Sequence, residues 1–285
     1  MSPILFTIPG LAWEVSAYGF FVALALVSGW VLAIRLATRE GLPADRLGGS
    51  YVVAVAFGLV GARAVWLLQH PTAFEGWISL LALRSGELSA GAGVAFALGI
   101  TLLQCRRHGV PAMAWLDVLA PAVALAVALE GFGALLSGAG YGAYAPEARF
   151  ALRFPEGSPA YLAHRRELSQ LLPRAASSSL PVYPTQLVAV LGGLLAGGLW
   201  WWQRARRRFV GQHAIGVALV LIAVRSFVEE PMRADRAPAV VGPASRGQLA
   251  ALCVVAVLAV VLRTRLRAAA KSTVVAATRG GRARR

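Results

Sequence analysis

The chain has 285 residues, of which 58% are hydrophobic and only 14% are charged, and its formal net charge at pH 7 is +15. This composition is too apolar for an ordinary soluble domain and is typical of a protein that crosses a membrane several times. The positive charge does not indicate nucleic-acid binding, because the basic residues cluster between apolar runs and in the C-terminal tail.

Seven apolar runs follow one another along the chain, and each predicts a helix that crosses the membrane. The first four have the length that a spanning helix needs, whereas the fifth and seventh are short. The runs cover residues 15–34, 48–69, 88–104, 112–136, 187–202, 211–228 and 248–262. The expected fold is an all-α integral membrane protein with seven transmembrane helices.

The basic residues between the runs predict the orientation of these helices. Residues 1–14 contain no Lys or Arg, whereas the connections after the first, third and fifth runs and the C-terminal tail carry most of the basic residues. Since basic residues favour the cytoplasmic side, we expect the N-terminus outside and the C-terminus in the cytoplasm. The first run is also too long for the apolar part of a cleavable signal peptide, so we expect it to stay in the membrane.

The connection between the fourth and fifth runs, residues 137–186, is predicted to form a small extracytoplasmic cap. It contains six prolines, which favour turns, and it leaves room for a short helix around Tyr161–Leu172. Residues 1–262 are therefore expected to form one seven-helix domain. Residues 263–285 form a basic cytoplasmic tail that we expect to be disordered and to contact anionic lipid headgroups.

Two arginines, Arg63 and Arg225, lie inside apolar runs, where a charge costs about 2.5–3.5 kcal/mol on insertion scales. Glu229 follows Arg225 by four residues, so on a helix the two share a face and can pair, and Pro231 is expected to end that helix. A guanidinium can hold a phosphate through two parallel hydrogen bonds, which makes Arg63, Arg225 and Arg233 candidate phosphate ligands. The alternative is a structural ion-pair network that fixes helix packing.

Other polar residues of the runs allow both a functional and a structural interpretation. Asp117 begins the fourth run, where a carboxylate also stabilises the start of a helix. Glu130 lies deeper in that run and must be protonated or paired, or it makes a polar contact to another helix.

Tyr18 and Gln186 lie at the outer ends of their runs, on the side predicted for Arg225. His70, at the outer end of the second run, is a candidate base or an ordinary interfacial histidine.

The two cysteines, Cys105 and Cys253, lie in different apolar runs, and the sequence has no CxxC motif. Neither a zinc site nor a redox site is indicated. Both residues are expected to be small apolar fillers.

Read in order, these motifs resemble the bacterial prolipoprotein diacylglyceryl transferase family, and the resemblance runs from about residue 5 to residue 262. The matching segments are Tyr18-Gly19, Gly61-Ala-Arg63, Ser89 with Gly93, Asp117 with Ala120-Pro121, Gly133, Gly138, Tyr141-Gly142, Pro184-Thr-Gln-Leu187, and Arg225 with Glu229 and Arg233. The family moves a diacylglyceryl group from phosphatidylglycerol to the lipobox cysteine thiol of a preprolipoprotein, and glycerol phosphate leaves.

The resemblance implies a multi-pass enzyme of the bacterial cytoplasmic (inner) membrane that acts in lipoprotein biosynthesis. Its partners would be phosphatidylglycerol and preprolipoprotein signal peptides, and no metal or organic cofactor is implied. The incoming protein supplies the nucleophilic thiolate, and the arginines stabilise the leaving phosphate. The motifs carry over Arg225, Glu229 and Tyr18 as catalytic residues, and Arg63, Arg233, Gln186 and Gly142 as residues that bind the substrate or the lipid phosphate.

The chain also departs from the family pattern. Gly91 and Tyr183 stand where the family has histidines, and the family's Arg, two Asn and Glu are absent from residues 131–142. A second hypothesis is therefore a catalytically degenerate member that binds anionic lipid or lipoprotein precursors without turnover. The retained intramembrane charges favour the enzyme, because an inactive site has little reason to keep them. A transporter is less favoured, because the sequence shows neither internal repeats nor paired broken helices.

Overall fold

The computed structural model describes residues 4–8, 13–74, 76 and 88–282. The connection predicted between the second and third runs, which includes Arg84, lies mostly outside the described residues. The helices, in chain order, are α1 (Ala17–Arg39), α2 (Ala44–Gln69), α3 (Ala90–His108), α4 (Ala112–Ser137), α5 (Pro159–Glu167), α6 (Thr185–Arg204), α7 (Gln212–Ala223) and α8 (Arg246–Arg282). Except for α5, each helix overlaps one of the predicted apolar runs, and α8 extends well beyond the end of its run.

Five of these helices are long and apolar enough to cross a membrane: α1, α2, α4, α6 and the Arg246–Ala270 part of α8. The mostly helical, multi-pass character that the composition predicts is confirmed. Helix α3 and the 12-residue α7 fall outside this set of five. The α-helical part of α7 is short because its last turns change to other helical forms, which are described below.

Two short antiparallel hairpins supplement the helices, and the apolar runs did not predict them. Strands β1 (Ile4–Ile8) and β2 (Trp13–Ser16) pair before α1, and strands β3 (Ala239–Val241) and β4 (Ala244–Ser245) pair before α8. Strands of two to five residues are too short to give a clear alternating pattern. The side chain of Ser16 then accepts a hydrogen bond from the Gly19 amide at 3.1 Å and caps α1.

Helix α4 lies at the centre of the bundle, against α1, α6 and α7. Small residues bring α4 and α6 close together, as the GxxxG motif at Gly193 and Gly197 predicts for packing within one chain. A Cβ atom at Gly193 would lie 2.6 Å from the Ala128 amide nitrogen, and one at Gly131 would lie 2.9 Å from the Val190 amide nitrogen. Neither position has room for a side chain, so the approach of these two helices depends on both glycines.

The substitution Gly193→Ala is expected to destabilise the bundle by about 1–3 kcal/mol relative to Gly198→Ala, because the added methyl group forces α4 and α6 apart. Gly198 lies on the same helix with open space around it, so both variants gain the same helix propensity of about 1 kcal/mol. Their difference in unfolding free energy, measured by denaturation in detergent micelles, isolates the packing cost. Equal stability of the two variants would contradict the packing described here.

The connection between α4 and α6 is a packed cap with its own core of Phe154, Ala160 and Val182. Its backbone is held by isolated strand bridges and by the Ser179 hydroxyl, which accepts a hydrogen bond from the Phe154 amide at 2.9 Å. The short helix expected here is α5, which begins two residues before Tyr161 and ends at Glu167. The Ser158 side chain caps it, and this capping serine sets its start.

Helix α8 continues through residues 263–282, where the sequence predicts a disordered tail. The segment contains no proline and is rich in alanine and arginine, which favour a helix. The predicted contact of the basic tail with lipid headgroups stays a prediction.

Asp117 is buried, with 3% exposure, and it caps the start of α7. One interpretation of the sequence has this carboxylate stabilise the start of its own helix, α4, instead. Its Oδ2 accepts a hydrogen bond from the Gly211 amide at 2.6 Å, and its Oδ1 accepts one from the Ala214 amide at 2.9 Å. The Arg207 guanidinium lies 3.1 Å from Oδ2. This carboxylate therefore joins α4 to α7, and α7 carries the charged residues described next.

Candidate functional site

Five charged side chains form one connected group at the end of α7 that is remote from Asp117. We name it the Arg225 cluster, and its members are Glu130, Arg225, Glu229, Arg233 and Asp235. Arg225 lies between two carboxylates, with Nη1 3.4 Å from Glu130 Oε2 and Nε 3.6 Å from Glu229 Oε2. Arg233 Nη1 lies 3.4 Å from Glu229 Oε1. Arg233 also donates to both carboxylate oxygens of Asp235, at 2.7 and 2.9 Å.

The backbone that carries the cluster changes its helical form twice. Helix α7 continues as a π-helix over Val224–Glu229 and then as a 3₁₀ turn over Glu230–Met232. The predicted pairing of Arg225 with Glu229 is confirmed, although the pair lies on a π-helix instead of an α-helix. The helical path ends one residue after Pro231, which agrees with the predicted stop.

Arg225 and Arg233 are held very differently within the cluster. The paired hydrogen bonds from Arg233 to Asp235 lie at the distance of strong charge-assisted bonds. They lower the pKa of the Asp235 carboxyl and raise the pKa of the Arg233 guanidinium, so both groups stay charged. The contacts of Arg225 are longer, while the two side chains are similarly exposed, 37% for Arg225 and 30% for Arg233. Because its carboxylate contacts are weaker, Arg225 is the guanidinium in the cluster that is better placed to bind a further anion.

Glu229 is the most enclosed member of the cluster, with a side chain only 5% exposed between the two guanidiniums. Its Oε2 is buried without a hydrogen-bond partner among the described residues, since the Arg225 nitrogen at 3.6 Å lies beyond hydrogen-bond distance. A buried carboxylate oxygen without a hydrogen bond is costly. The cluster is therefore incompletely bonded on the side that faces Arg225.

Gly142 holds the loop that follows α4 against Met232 and Arg233, where the helical path ends. It forms a strand bridge with Arg233, and the neighbouring Ala143 amide donates to the Met232 carbonyl at 2.8 Å. A Cβ atom at Gly142 would collide with the Tyr183 carbonyl and lie 2.8 Å from the Met232 carbonyl. The described contacts of Gly142 are with backbone, so they set the position of Arg233.

Gln186 is buried, and its Nε2 donates to the Ala139 carbonyl at 2.9 Å. The neighbouring Thr185 hydroxyl donates to the Gly140 carbonyl at 2.7 Å. The start of α6 therefore supports the same loop that contains Gly142. The sequence suggests that Gln186 binds substrate, and the described contacts give it a supporting position behind the loop.

The substitution Gly142→Ala is expected to displace Arg233 and to lower the transfer activity that the resemblance implies about 10-fold or more, because errors of about 1 Å in catalytic geometry can cost up to about 100-fold. Gly49→Ala is the matched control, since Gly49 has open space around it. Transfer by both variants is compared with their thermal unfolding. A fully active Gly142→Ala protein would show that the close approach at this glycine does not position the cluster.

Tyr18 and Arg63, two further predicted site residues, lie differently with respect to the cluster. Tyr18, in the first turn of α1, is close enough to Glu130, Arg225 and Arg233 to interact with their charges. Arg63 is buried in α2, and its guanidinium lies 4.8 Å from the centre of the Trp66 ring. The contact of Arg63 described here is thus with its own helix, and its part in phosphate binding stays a prediction.

His70 ends α2 and makes local contacts. Its ring stacks on Trp66 with centroids 4.4 Å apart, and its Nδ1 lies 3.0 Å from the Trp66 carbonyl oxygen, to which it can only donate. These contacts are those of an interfacial histidine, and the role of His70 as a base stays a prediction.

Sequence reasoning did not find the pairing of Glu130 with Arg225. The two residues are 95 positions apart and meet only because α4 packs against α7. The available signal was that each is a charge of opposite sign inside an apolar run, and such charges usually pair with one another.

Comparison with known proteins points to one family along nearly the whole chain. Residues 3–264 match the family model described as prolipoprotein diacylglyceryl transferase. Similar proteins named phosphatidylglycerol–prolipoprotein diacylglyceryl transferase include one from Thermus thermophilus, 29% identical over 221 residues, or 76% of this chain and 79% of that protein. One from Streptomyces griseus is 28% identical over 79% of this chain and 65% of its own length. One from Rhodopirellula baltica is 31% identical over 50% of this chain and 30% of its own length.

Proposed function

Because the chain belongs to the prolipoprotein diacylglyceryl transferase family, we propose that the Arg225 cluster is the place where it transfers a diacylglyceryl group from phosphatidylglycerol to a cysteine thiol. The family predicted from the motifs is confirmed, and with it the role of a transferase in lipoprotein biosynthesis. The alternative of a degenerate binding protein is not favoured. The substrates follow the family: phosphatidylglycerol and the signal peptides of preprolipoproteins.

The observation that carries the proposal is the loosely held Arg225. A guanidinium that is partly exposed and has only long contacts can present two parallel N–H groups to a phosphate. As the bond to the glyceryl carbon breaks, negative charge grows on the phosphate, and a fixed cation stabilises that charge. Arg233, which is bound to Asp235, also contacts Glu229 at 3.4 Å, so Glu229 is shared between the two guanidiniums. Tyr18 and Arg63 remain proposed members of the same site.

The membrane arrangement is part of the proposal. We infer that α3 and the combined α7 and π-helix cross the membrane together with the five long apolar helices, which gives seven spans. The asymmetry of basic residues supports an outer N-terminus and a cytoplasmic C-terminus. The Arg225 cluster then lies toward the outer face of the inner membrane, where the cap also lies and where an exported precursor arrives.

The experiment that tests the proposal is the transfer reaction itself. The purified protein is incubated in nanodiscs with phosphatidylglycerol labelled in its glyceride part and with a lipobox peptide, and the mass of the peptide is read. A mass gain of one diacylglyceryl group, absent when the peptide cysteine is replaced by serine, is the expected result. No gain, while a family enzyme is active in parallel, would overturn the proposal.

A further inference from the structure

The transfer reaction needs a group that takes the proton from the incoming thiol, because the thiolate is the nucleophile. This inference rests on the proposed function. The candidates for the proton acceptor are the carboxylates of the Arg225 cluster and the nearby phenol of Tyr18. A phenol is neutral near pH 7 and so is a poor proton acceptor. The proton acceptor should therefore be a carboxylate.

The three carboxylates of the cluster differ in their availability. Both oxygens of Asp235 are occupied by Arg233 in a paired interaction. Glu229 is enclosed between two guanidiniums, with 5% exposure. Glu130 is 31% exposed, and its one ion pair among the described residues is the 3.4 Å contact of Oε2 with Arg225. Among the three, Glu130 alone combines a partly exposed side chain with a single, long contact to a guanidinium.

We propose that Glu130 is the general base of the transfer reaction, and that phosphatidylglycerol activates it by taking its place on Arg225. The cluster contains three carboxylates and two guanidiniums, so it has no spare positive charge for a phosphate. A phosphate that binds Arg225 must displace a carboxylate. Glu130 is the more exposed of the two carboxylates beside Arg225, whereas Glu229 is buried and is also held by Arg233. Once displaced, Glu130 is a partly exposed carboxylate whose oxygens no longer contact Arg225, so it can accept the thiol proton.

The reaction balances without any further reagent. Glu130 takes the thiol proton, and the electron pair of the S–H bond stays on sulfur. The sulfur forms a bond to the glyceryl carbon that carries the phosphate, and the C–O bond to the phosphate breaks with its electron pair on oxygen. Glycerol phosphate leaves from Arg225 and takes the proton from Glu130, which pairs with Arg225 again. Phospholipid therefore binds before the thiol is deprotonated.

The test compares three variants of the full-length protein in nanodiscs: Glu130→Gln, Glu130→Asp and, as the control, Glu147→Gln. Glu147 is an exposed glutamate of the cap, so its variant should match the wild type. Two quantities are measured: transfer to the lipobox peptide as a function of pH, and affinity for phosphatidylglycerol titrated into phosphatidylcholine discs. A general base contributes about 100- to 10,000-fold.

Glu130→Gln is expected to lose at least about 100-fold in transfer, while phosphatidylglycerol binds as tightly as before or more tightly, since a competing anion is gone. Glu130→Asp should retain part of the activity, because it keeps a carboxylate. Wild-type transfer by Glu130→Gln would overturn the proposal. So would a parallel loss of lipid binding and transfer in both variants, which indicates a structural ion pair. An inactive wild-type protein would instead count against the proposed function.

Discussion

Replacing Arg225 by lysine is expected to reduce diacylglyceryl transfer about 100-fold or more while the protein stays folded. Lysine keeps a positive charge between Glu130 and Glu229, so the ion pair that joins α4 to the π-helix persists. It cannot offer two parallel N–H groups to a phosphate, and one lost donor to a developing negative charge costs about 100- to 1,000-fold in rate. The measurement is transfer to the lipobox peptide at saturating phosphatidylglycerol.

Arg225→Ala answers a second question, namely whether the lipid is bound at all. It is expected to abolish phosphatidylglycerol binding, and it also removes the only described ion-pair partner of Glu130, so thermal unfolding is recorded beside it. Arg149→Lys, on the exposed surface of the cap, is the control for the loss of a guanidinium elsewhere. Unchanged lipid affinity in Arg225→Ala and unchanged turnover in Arg225→Lys would together refute the assignment of the phosphate site.

The substitution Asp117→Ala is expected to lower the free energy of unfolding by about 2–4 kcal/mol, the largest stability effect that we anticipate for a single residue. It leaves two backbone amides at the start of α7 without their acceptor, at a site where the Asp117 side chain is buried, and it removes one carboxylate from Arg207. Equilibrium unfolding in mixed micelles measures the change. Glu40, which also pairs with Arg207, is 48% exposed, and Glu40→Ala should cost about 0–1 kcal/mol.

Asp117→Ala should act on stability and leave the chemistry alone. The start of α7 lies about 18 Å along the helix from the Arg225 cluster, at about 1.5 Å per residue. Transfer per folded molecule should therefore stay within about 3-fold of the wild type at low temperature. A complete loss of turnover in a fully folded variant would contradict this separation of the two ends of α7.

The helices could be predicted from the sequence because a membrane span is set by local composition. A run of about 20 apolar residues predicts a helix whatever it packs against. Helix ends were harder: α1 extends five residues beyond its apolar run, to Arg39, because polar residues continue a helix into the interface. The two hairpins depend on pairing between very short strands, which leaves little trace in the sequence.

The candidate site was predictable where its contacts are local. Arg225 and Glu229 are four residues apart, so helical geometry alone suggested the pair. The contact of Arg225 with Glu130 and the bridge of Gly142 with Arg233 join distant parts of the chain, and helix packing determines them. Gln186 was expected to contact substrate, whereas its hydrogen bond to the Ala139 carbonyl could not be foreseen without the loop conformation.

The π-helix at Val224–Glu229 makes the chemistry of this protein sensitive to the number of residues in one turn. A π turn holds about one residue more than an α turn, so deleting one residue here would leave a regular α-helix. Inserting one further residue would instead rotate everything after it by about 100° about the helix axis. Glu229 and Arg233 would then leave the face shared with Arg225, even though every charged residue was still encoded. The number of residues in this one turn is therefore constrained separately from the identity of any residue in it.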